Sequence, residues 1–360
     1  MGLVIASIRL ERIEKPLRTP FKTSLQTVTE RESLLVEVAD ASGMKGYGEC
    51  VAFTTPWYTE ETVASCRFVI ETVLVPLLTG RTLTHPAEVW ELFKAVKGNR
   101  MAKAAVETAV WDLYAKRRGM PLWQLLGGTP EAIPAGVVVA ADKAKIAGGV
   151  AEAALNGYRR IKIKVSPASE IGLLKKMVAD HPQLLFFADA NGAFDEASFG
   201  TLLELDRAGF SLIEQPFGEQ EWKLHARAKK EMKTPICLDE SIKSSDDVQR
   251  MIDERAGDVV VLKMGRLGGW SETLKTMELC RHHAIGMWVG GMIEFGVSKA
   301  HNLALASLPG ITLPGDFSDS RHFWERDIIE PEIKVENGSV ALSGRAGIGY
   351  EVHFENGPLQ

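Results

Sequence analysis

Cysteine is scarce in this chain: Cys50, Cys66, Cys237 and Cys280 are the only four among 360 residues, and no two form a CxxC pair. That excludes a disulfide scaffold and a zinc ribbon, and reads as reduced, buried thiols of a cytoplasmic protein. No apolar run reaches the roughly 18 residues of a membrane span, so no membrane partner is expected. The start, MGLVIASIRLERIEK, is interrupted by Arg9, Glu11 and Arg12 and reads as a strand rather than a signal peptide. Dense basic blocks are missing as well, and the formal net charge is −5, which argues against a nucleic-acid partner. Lys116-Arg117-Arg118 closes a helical pattern, where positive charge complements the helix dipole. There is no GxSxG for a serine hydrolase and no HxH for a zinc hydrolase; His282-His283 ends a helical stretch instead. No glycine-rich phosphate turn follows Gly136–Ala140, which disfavours a doubly wound nucleotide-binding sheet.

What is present divides into three parts. Residues 1–127 read as an α+β capping domain. It has strands near Val4–Ile13, Leu34–Val38 and Lys45–Glu49, then helical patterns over Thr59–Leu78, Pro86–Val96 and Met101–Arg117. Residues 128–320 alternate short β-rich runs with amphipathic stretches. Eight strands are predicted there: Gly136–Ala140, Arg160–Val165, Leu185–Ala190, Ser211–Glu214, Ile236–Asp239, Val259–Lys263, Ile285–Val289 and Ile311–Leu313. Steps of about 25 residues are the signature of a (β/α)8-type barrel of the α/β class. Residues 321–360, with strand-like Ile333–Val335 and Ser339–Leu342, form a tail expected to pack back on the capping domain and complete it. Two aromatic loops, Pro20–Gln26 and Ala52–Thr59, are placed to close over the barrel mouth, which makes Phe21 and Phe53 candidate substrate contacts.

Lys164, Asp189, Glu214, Asp239 and Lys263 lie 25, 25, 25 and 24 residues apart, each at or near the end of a predicted strand. Equivalent positions in successive β/α units converge on one mouth of a barrel. Asp189, Glu214 and Asp239 are three hard oxygen donors with no histidine or cysteine at ligand spacing, a set suited to Mg²⁺ or Mn²⁺ rather than Zn²⁺. Alternation puts Lys162 and Lys164 on one strand face. Adjacent ammonium groups repel, which predicts a lowered pKa and a competent base; a solvated edge strand is the bland alternative. A metal between two lysines suits proton abstraction α to a carboxylate: one lysine removes the proton and the other donates, or stabilises the anion, on the opposite face. Glu240 is expected to point away from the metal and to orient Lys263. Arg266 either tunes Lys263 or makes a rim salt bridge. A non-catalytic binding barrel would have no use for two lysines around three carboxylates.

Lys162-Ile163-Lys164, Asp189-Ala190-Asn191, Ile213-Glu214-Gln215-Pro216, Leu238-Asp239-Glu240-Ser241 and the Lys263–Gly269 run together resemble the enolase superfamily in its muconate-lactonising subgroup. Gly46–Cys50, Gly98–Ala105, Trp111-Asp112-Leu113 and Gly290–Glu294 look more narrowly like the o-succinylbenzoate synthases and N-succinylamino acid racemases. The resemblance implies Mg²⁺-dependent dehydration of a small carboxylate, 2-succinyl-6-hydroxy-2,4-cyclohexadiene-1-carboxylate, in menaquinone synthesis, or racemisation of N-succinylamino acids, or both. It implies Lys164 as base, Lys263 as second base or anion stabiliser, and Asn191, Gly291, Met292 and Ile293 around the substrate. A cycloisomerase or a dipeptide epimerase ranks third. Two residues depart from the pattern, Met264 after Lys263 and Phe295 after Gly-Gly-Met-Ile-Glu; Phe295 is expected to narrow or dry the mouth. Neither a monomer nor a homo-oligomer is excluded.

Overall fold

The computed structural model describes residues 2–22, 26–139 and 146–353. The first unit opens with β1 (Leu3–Lys22), β2 (Thr27–Asp40) and β3 (Lys45–Cys50), continues through α1 (Val63–Val69) and α2 (Val75–Leu78), and adds β4 (Thr82–Leu83), α3 (Glu88–Phe93), α4 (Arg100–Arg117) and α5 (Leu122–Leu125). A π-helical turn, Ile70–Leu74, joins α1 to α2. The sheet order is β3-β2-β1-β4, and the three longer strands pair antiparallel. Helix α1 starts later than the sequence pattern suggests because Thr62 caps it reciprocally with Ser65. Glycine decides how α4 meets the sheet. A Cβ on Gly48 would sit 2.1 Å from the Ala105 carbonyl, and one on Gly46 2.3 Å from that of Ala109. The small residues of α4 therefore rest directly on β3 backbone.

The second unit runs β5 (Ile133–Pro134), β6 (Gly136–Val139), α6 (Ile146–Leu155), β7 (Arg160–Lys164), α7 (Ile171–Asp180), β8 (Leu185–Asp189), α8 (Phe199–Leu205) and β9 (Leu212–Glu214). It continues through α9 (Trp222–Glu231), β10 (Ile236–Leu238), α10 (Ser245–Glu254), β11 (Val259–Leu262), α11 (Met264–Leu267), α12 (Trp270–His282), β12 (Gly286–Val289) and α13 (Gly296–Ala306). Strands β6 to β12 form one parallel sheet in sequence order. Ile311–Leu313 is not a strand, contrary to the expectation from sequence. The sheet instead closes through Gly315 and Asp316: Gly136 N–H donates to the Gly315 carbonyl at 2.8 Å and Asp316 N–H to the Val289 carbonyl at 2.9 Å. Pro314 has no N–H to give a ladder, which moves the pairing beyond it. Ala140, the predicted end of the first barrel strand, lies outside the described residues.

Alternation sorts the barrel side chains. Phe187, Leu212, Cys237, Val259, Val261 and Trp288 form a separate apolar cluster inside it. The residues between them, such as Ile161, Ile163, Ala188, Ile213 and Val260, join the main core under the helices. Lys162 and Lys164 share the inward parity of Arg160, and Asp189 that of Phe187. In the parallel register Lys164 stands level with Asp189, and Asp189 with Glu214. Glu214 is level with Cys237, so Asp239 projects two residues higher; Leu238 is level with Val260, so Lys263 is higher again. The rim thus climbs from β7 to β11, as strand stagger in a tilted barrel requires.

The chain ends with α14 (Ser320–Phe323), β13 (Ile329–Glu330), β14 (Ser339–Val340) and β15 (Glu351–Val352). Ile333–Val335 is not a strand; β13 pairs with β15, and β14 with β5. The tail bonds to the first third: Leu122 N–H reaches the Gly347 carbonyl at 2.7 Å, and Ile348 N–H reaches Asp112 Oδ1 at 2.7 Å. Among the described residues no helix is long and apolar enough to cross a membrane.

Candidate active site

The five evenly spaced residues meet at one end of the parallel sheet. Lys164 Nζ donates to Asp189 Oδ2 at 2.6 Å and to Asn191 Oδ1 at 2.6 Å. Asn191 in turn donates to Glu240 Oε1 at 2.8 Å. Four strands along the sheet from Lys164, Lys263 Nζ donates to Asp239 Oδ2 at 2.8 Å and to the Tyr58 hydroxyl at 2.5 Å. Arg266 Nη2 bonds Asp239 Oδ1 at 2.7 Å, and its Nη1 reaches the same Tyr58 oxygen at 2.9 Å. Lower in the barrel, Lys162 Nζ lies 3.3 Å from Asp189 Oδ2, 3.3 Å from Glu214 Oε2 and 3.0 Å from Asp316 Oδ2, under the Trp288 ring. Arg160 Nη2 completes this ladder at 2.7 Å from Asp316 Oδ1.

Electrostatics follow from burial among opposite charges. Burial pushes Asp189 upward, but the Lys164 and Lys162 charges outweigh it and hold the carboxyl below its ordinary range. Asp239 is likewise held down by Arg266 and Lys263 against its burial. Glu214 moves the other way: burial, then the Asp189 and Asp239 charges, raise it well above the usual carboxylate value. Lys162 corrects a sequence-based expectation. Burial does lower it, but Asp316, Glu214 and Asp189 overcome that and hold the ammonium well above its ordinary pKa. Repulsion between neighbouring lysines does not govern this residue.

Asp189, Glu214 and Asp239 are all buried and carry hard oxygen donors on adjacent strands. As folded, each faces an ammonium or guanidinium. Among the described residues no three acidic, histidine or cysteine side chains are already gathered about one ion position. The donor chemistry nevertheless fits a divalent cation, since the Lys162 ammonium already stands in as the positive charge between Asp189 and Glu214.

Above this floor lies a cavity of about 550 Å³. Lys162, Lys164, Asp189, Asn191, Asp239 and Lys263 line its base. Phe21 and Phe53 line it from the first unit, and Gly291, Met292 and Ile293 from the loop after β12. Thr23–Leu25 of the Pro20–Gln26 loop lie outside the described residues. Three non-glycine residues around the mouth have left-handed backbone: Asn191 (φ 44°), Gln215 (φ 39°) and Ile293 (φ 55°). For β-branched Ile293 this is strained, and strain of this kind gathers at functional sites. Arg31 Nε of β2 donates to the Ile293 carbonyl at 3.2 Å, and Glu294 accepts from Met292 N–H, so both units hold the turn.

Two further expectations need correction. Glu240 makes no hydrogen bond to Lys263; its Oε1 takes the Asn191 amide, while burial and the Asp239 and Asp189 charges raise its pKa to about 7. Lys263 is oriented by Asp239 and Tyr58 instead. Phe295 does not narrow the mouth: it is fully buried, stacks on Trp324 with centroids 4.2 Å apart, and does not line the cavity. Arg266 makes a salt bridge, but one buried against Asp239 rather than at an exposed rim.

Tyr58, Asp316 and Lys299 are among the cavity residues that sequence reasoning does not single out. Tyr58 sits in the aromatic loop that was singled out through Phe53. Asp316 was obscured because the closing segment is shifted past Pro314. Lys299 lies within a helix, where the strand-end period gives no signal.

With this geometry in hand, the sequence matches the family Mandelate racemase / muconate lactonizing enzyme, N-terminal domain, over residues 6–127, and Enolase C-terminal domain-like over residues 145–356. It is 42% identical to the o-succinylbenzoate synthase of Bacillus subtilis over 97% of this chain and 94% of the relative. It is 40% identical to the N-succinylamino acid racemase of Thermus thermophilus over 98% and 95%. A solved enolase-superfamily member from Listeria innocua superposes with a TM-score of 0.95 at 38% identity, over 97% of this chain and 95% of that one.

Proposed function

The chain belongs to the enolase superfamily, in its mandelate racemase and muconate lactonizing branch, and from that premise we propose that it is an o-succinylbenzoate synthase. Its reaction is then dehydration of 2-succinyl-6-hydroxy-2,4-cyclohexadiene-1-carboxylate. The observation that carries this reading is the pair of ammonium groups, Lys164 and Lys263, on strands separated by three carboxylate-bearing neighbours in one cavity.

We assign Lys164 as the base. In its neutral form its Nζ takes the proton α to the substrate carboxylate; the electron pair left on carbon becomes the new ring double bond as the C–OH bond breaks. The departing hydroxide takes the proton back from Lys164 and leaves as water, so the lysine is restored. Asn191 and Asp189 fix Nζ by two hydrogen bonds of 2.6 Å each, which holds it in one place for both transfers. Lys263, held by its hydrogen bond to Asp239, faces the enediolate charge from the other side of the cavity. We assign Asp189, Glu214 and Asp239 as the holders of Mg²⁺, with Mn²⁺ as a substitute; when bound, the cation supplies positive charge beside the substrate carboxylate and so makes the α-proton more acidic. Phe21, Phe53 and the Gly291–Ile293 turn enclose the substrate and exclude water.

Racemisation of N-succinylamino acids is a second reading, favoured by the same pair of lysines. Exchange at a stereocentre needs a proton carrier on each face, and Lys263 provides the second. The four cysteines are all free and buried, in keeping with a cytoplasmic enzyme.

The test is loss of the cyclohexadiene absorbance when the protein meets that substrate with Mg²⁺, repeated with a chelator. Rapid, chelator-sensitive loss supports the synthase. No loss, together with Mg²⁺-dependent α-deuterium exchange into N-succinylamino acids, moves the assignment to a racemase.

A further inference from the structure

Lys299 of α13 is 2% exposed, yet its side chain lines the cavity. Among the described residues its ammonium forms no ion pair. Its hydrogen bond goes to the Ser318 carbonyl at 3.1 Å, and it stands 5.8 Å from the centroid of Phe323. An ammonium carries three N–H donors, so two remain for whatever enters the cavity. Burying a charge without a counter-ion is costly, and each of the other cavity lysines, Lys162, Lys164 and Lys263, has a carboxylate within 3.3 Å. Nearby His322 does not supply the anion. Burial and then the Lys299 charge lower its pKa, which leaves it neutral in ordinary buffers. The wall made by α13 and the Ser318–Phe323 segment therefore presents one unneutralised positive charge.

We propose that Lys299 is the reader of a second carboxylate on the substrate, the one at the far end of a succinyl arm. This rests on the assigned reaction for the identity of the ligand, and it adds what selects the arm. A dicarboxylate placed with its reacting carboxylate at the strand ends supplies the missing counter-ion through charge-assisted hydrogen bonds to Lys299 Nζ. A neutral acyl arm of the same length leaves the buried ammonium unpaired, so the cavity discriminates against it. Lys299 is thus a specificity residue, apart from the proton-transfer machinery.

The test compares equilibrium binding of o-succinylbenzoate and o-butyrylbenzoate, which lacks the distal carboxylate, to the Mg²⁺-loaded protein. Wild type is expected to prefer the former by about tenfold or more. Lys299→Met should bring the ratio close to one, and Lys299→Arg should restore most of it. Because Lys299 also holds the Ser318 carbonyl, melting curves of both variants accompany the binding data. If Lys299→Met is unfolded, the Lys299→Gln variant replaces it in the same comparison. A preference that survives loss of the charge overturns the assignment, as does a wild type with no preference. Turnover keeps the two readings apart. Dehydration with an unchanged ratio in the variant sinks the Lys299 role alone; an intact, Lys299-dependent preference without dehydration or racemisation sinks the reaction alone.

Discussion

Lys164 and Asp189 stand level on neighbouring parallel strands, and their side chains meet at 2.6 Å. The assigned base is therefore bonded to an assigned metal ligand, which ties the geometry of proton transfer to that of the cation site. Lys164→Ala should lower turnover by about 10³-fold or more, the range for losing a positioned general base. Mg²⁺ binding should persist, since all three carboxylates remain. Single-turnover kinetics with a parallel metal titration read both quantities. Substantial residual turnover would remove Lys164 from the base role.

Asp239 calls for a gentler change. Its carboxylate neutralises Lys263 and Arg266, both buried, so deleting it outright leaves two unpaired charges and threatens the fold. Asp239→Asn keeps the shape and removes the charge. Mg²⁺ affinity is expected to fall by about 100-fold or more, measured by calorimetry on folded variant. An unchanged titration would place the metal elsewhere.

The sequence offers Phe21 and Phe53 alike as candidate substrate contacts, and the structure separates them. Phe53 is 6% exposed, lies 4.4 Å from the Arg31 guanidinium and packs on Trp57 at 4.5 Å. Phe21 is only partly buried and meets Phe323 edge-on at 6.2 Å. Phe53→Ala is expected to cost about 3–5 kcal/mol of stability. Phe21→Ala should raise KM several-fold with a small change in melting temperature. Paired melts and initial-rate curves decide the matter, and equal melting losses would make both packing residues.

The rim was legible because strand periodicity is local: a 25-residue step and an inward parity place Lys164, Asp189, Glu214, Asp239 and Lys263 without knowledge of tertiary contacts. What escaped depends on contacts between distant segments. The charge state of Lys162 is set largely by Asp316, 154 residues away, which no spacing rule connects to it. Phe295 adjoins a cavity-lining turn in sequence. The left-handed backbone at Ile293 and the start of α13 turn it into the core against Trp324. Glu240 follows Asp239, an assigned ligand, directly, yet it meets Asn191, from the loop after β8, rather than Lys263. The tail was recognised as extra to the barrel, but its pairing of β14 with β5 and β13 with β15 could not be read from composition.

Glu107 offers a test outside the cavity lining. It is fully buried on α4 and accepts the Ser271 backbone N–H at 3.2 Å, at the start of α12. Burial, partly offset by the Ser271 contacts, pushes its pKa from the ordinary 4.5 up to about 7. A carboxyl with a raised folded pKa favours the native state while it is protonated. Its contribution is full below about 4.5 and is lost as the pH rises through about 7. Glu107→Gln is neutral throughout, so it should match wild type near pH 5 and become the more stable protein near pH 8. The expected gain over that interval is on the order of 2–3 kcal/mol. Urea unfolding of both proteins across the range measures it. A stability difference that does not change with pH would mean that Glu107 stays ionised in the fold, held so by the N-terminus of α12.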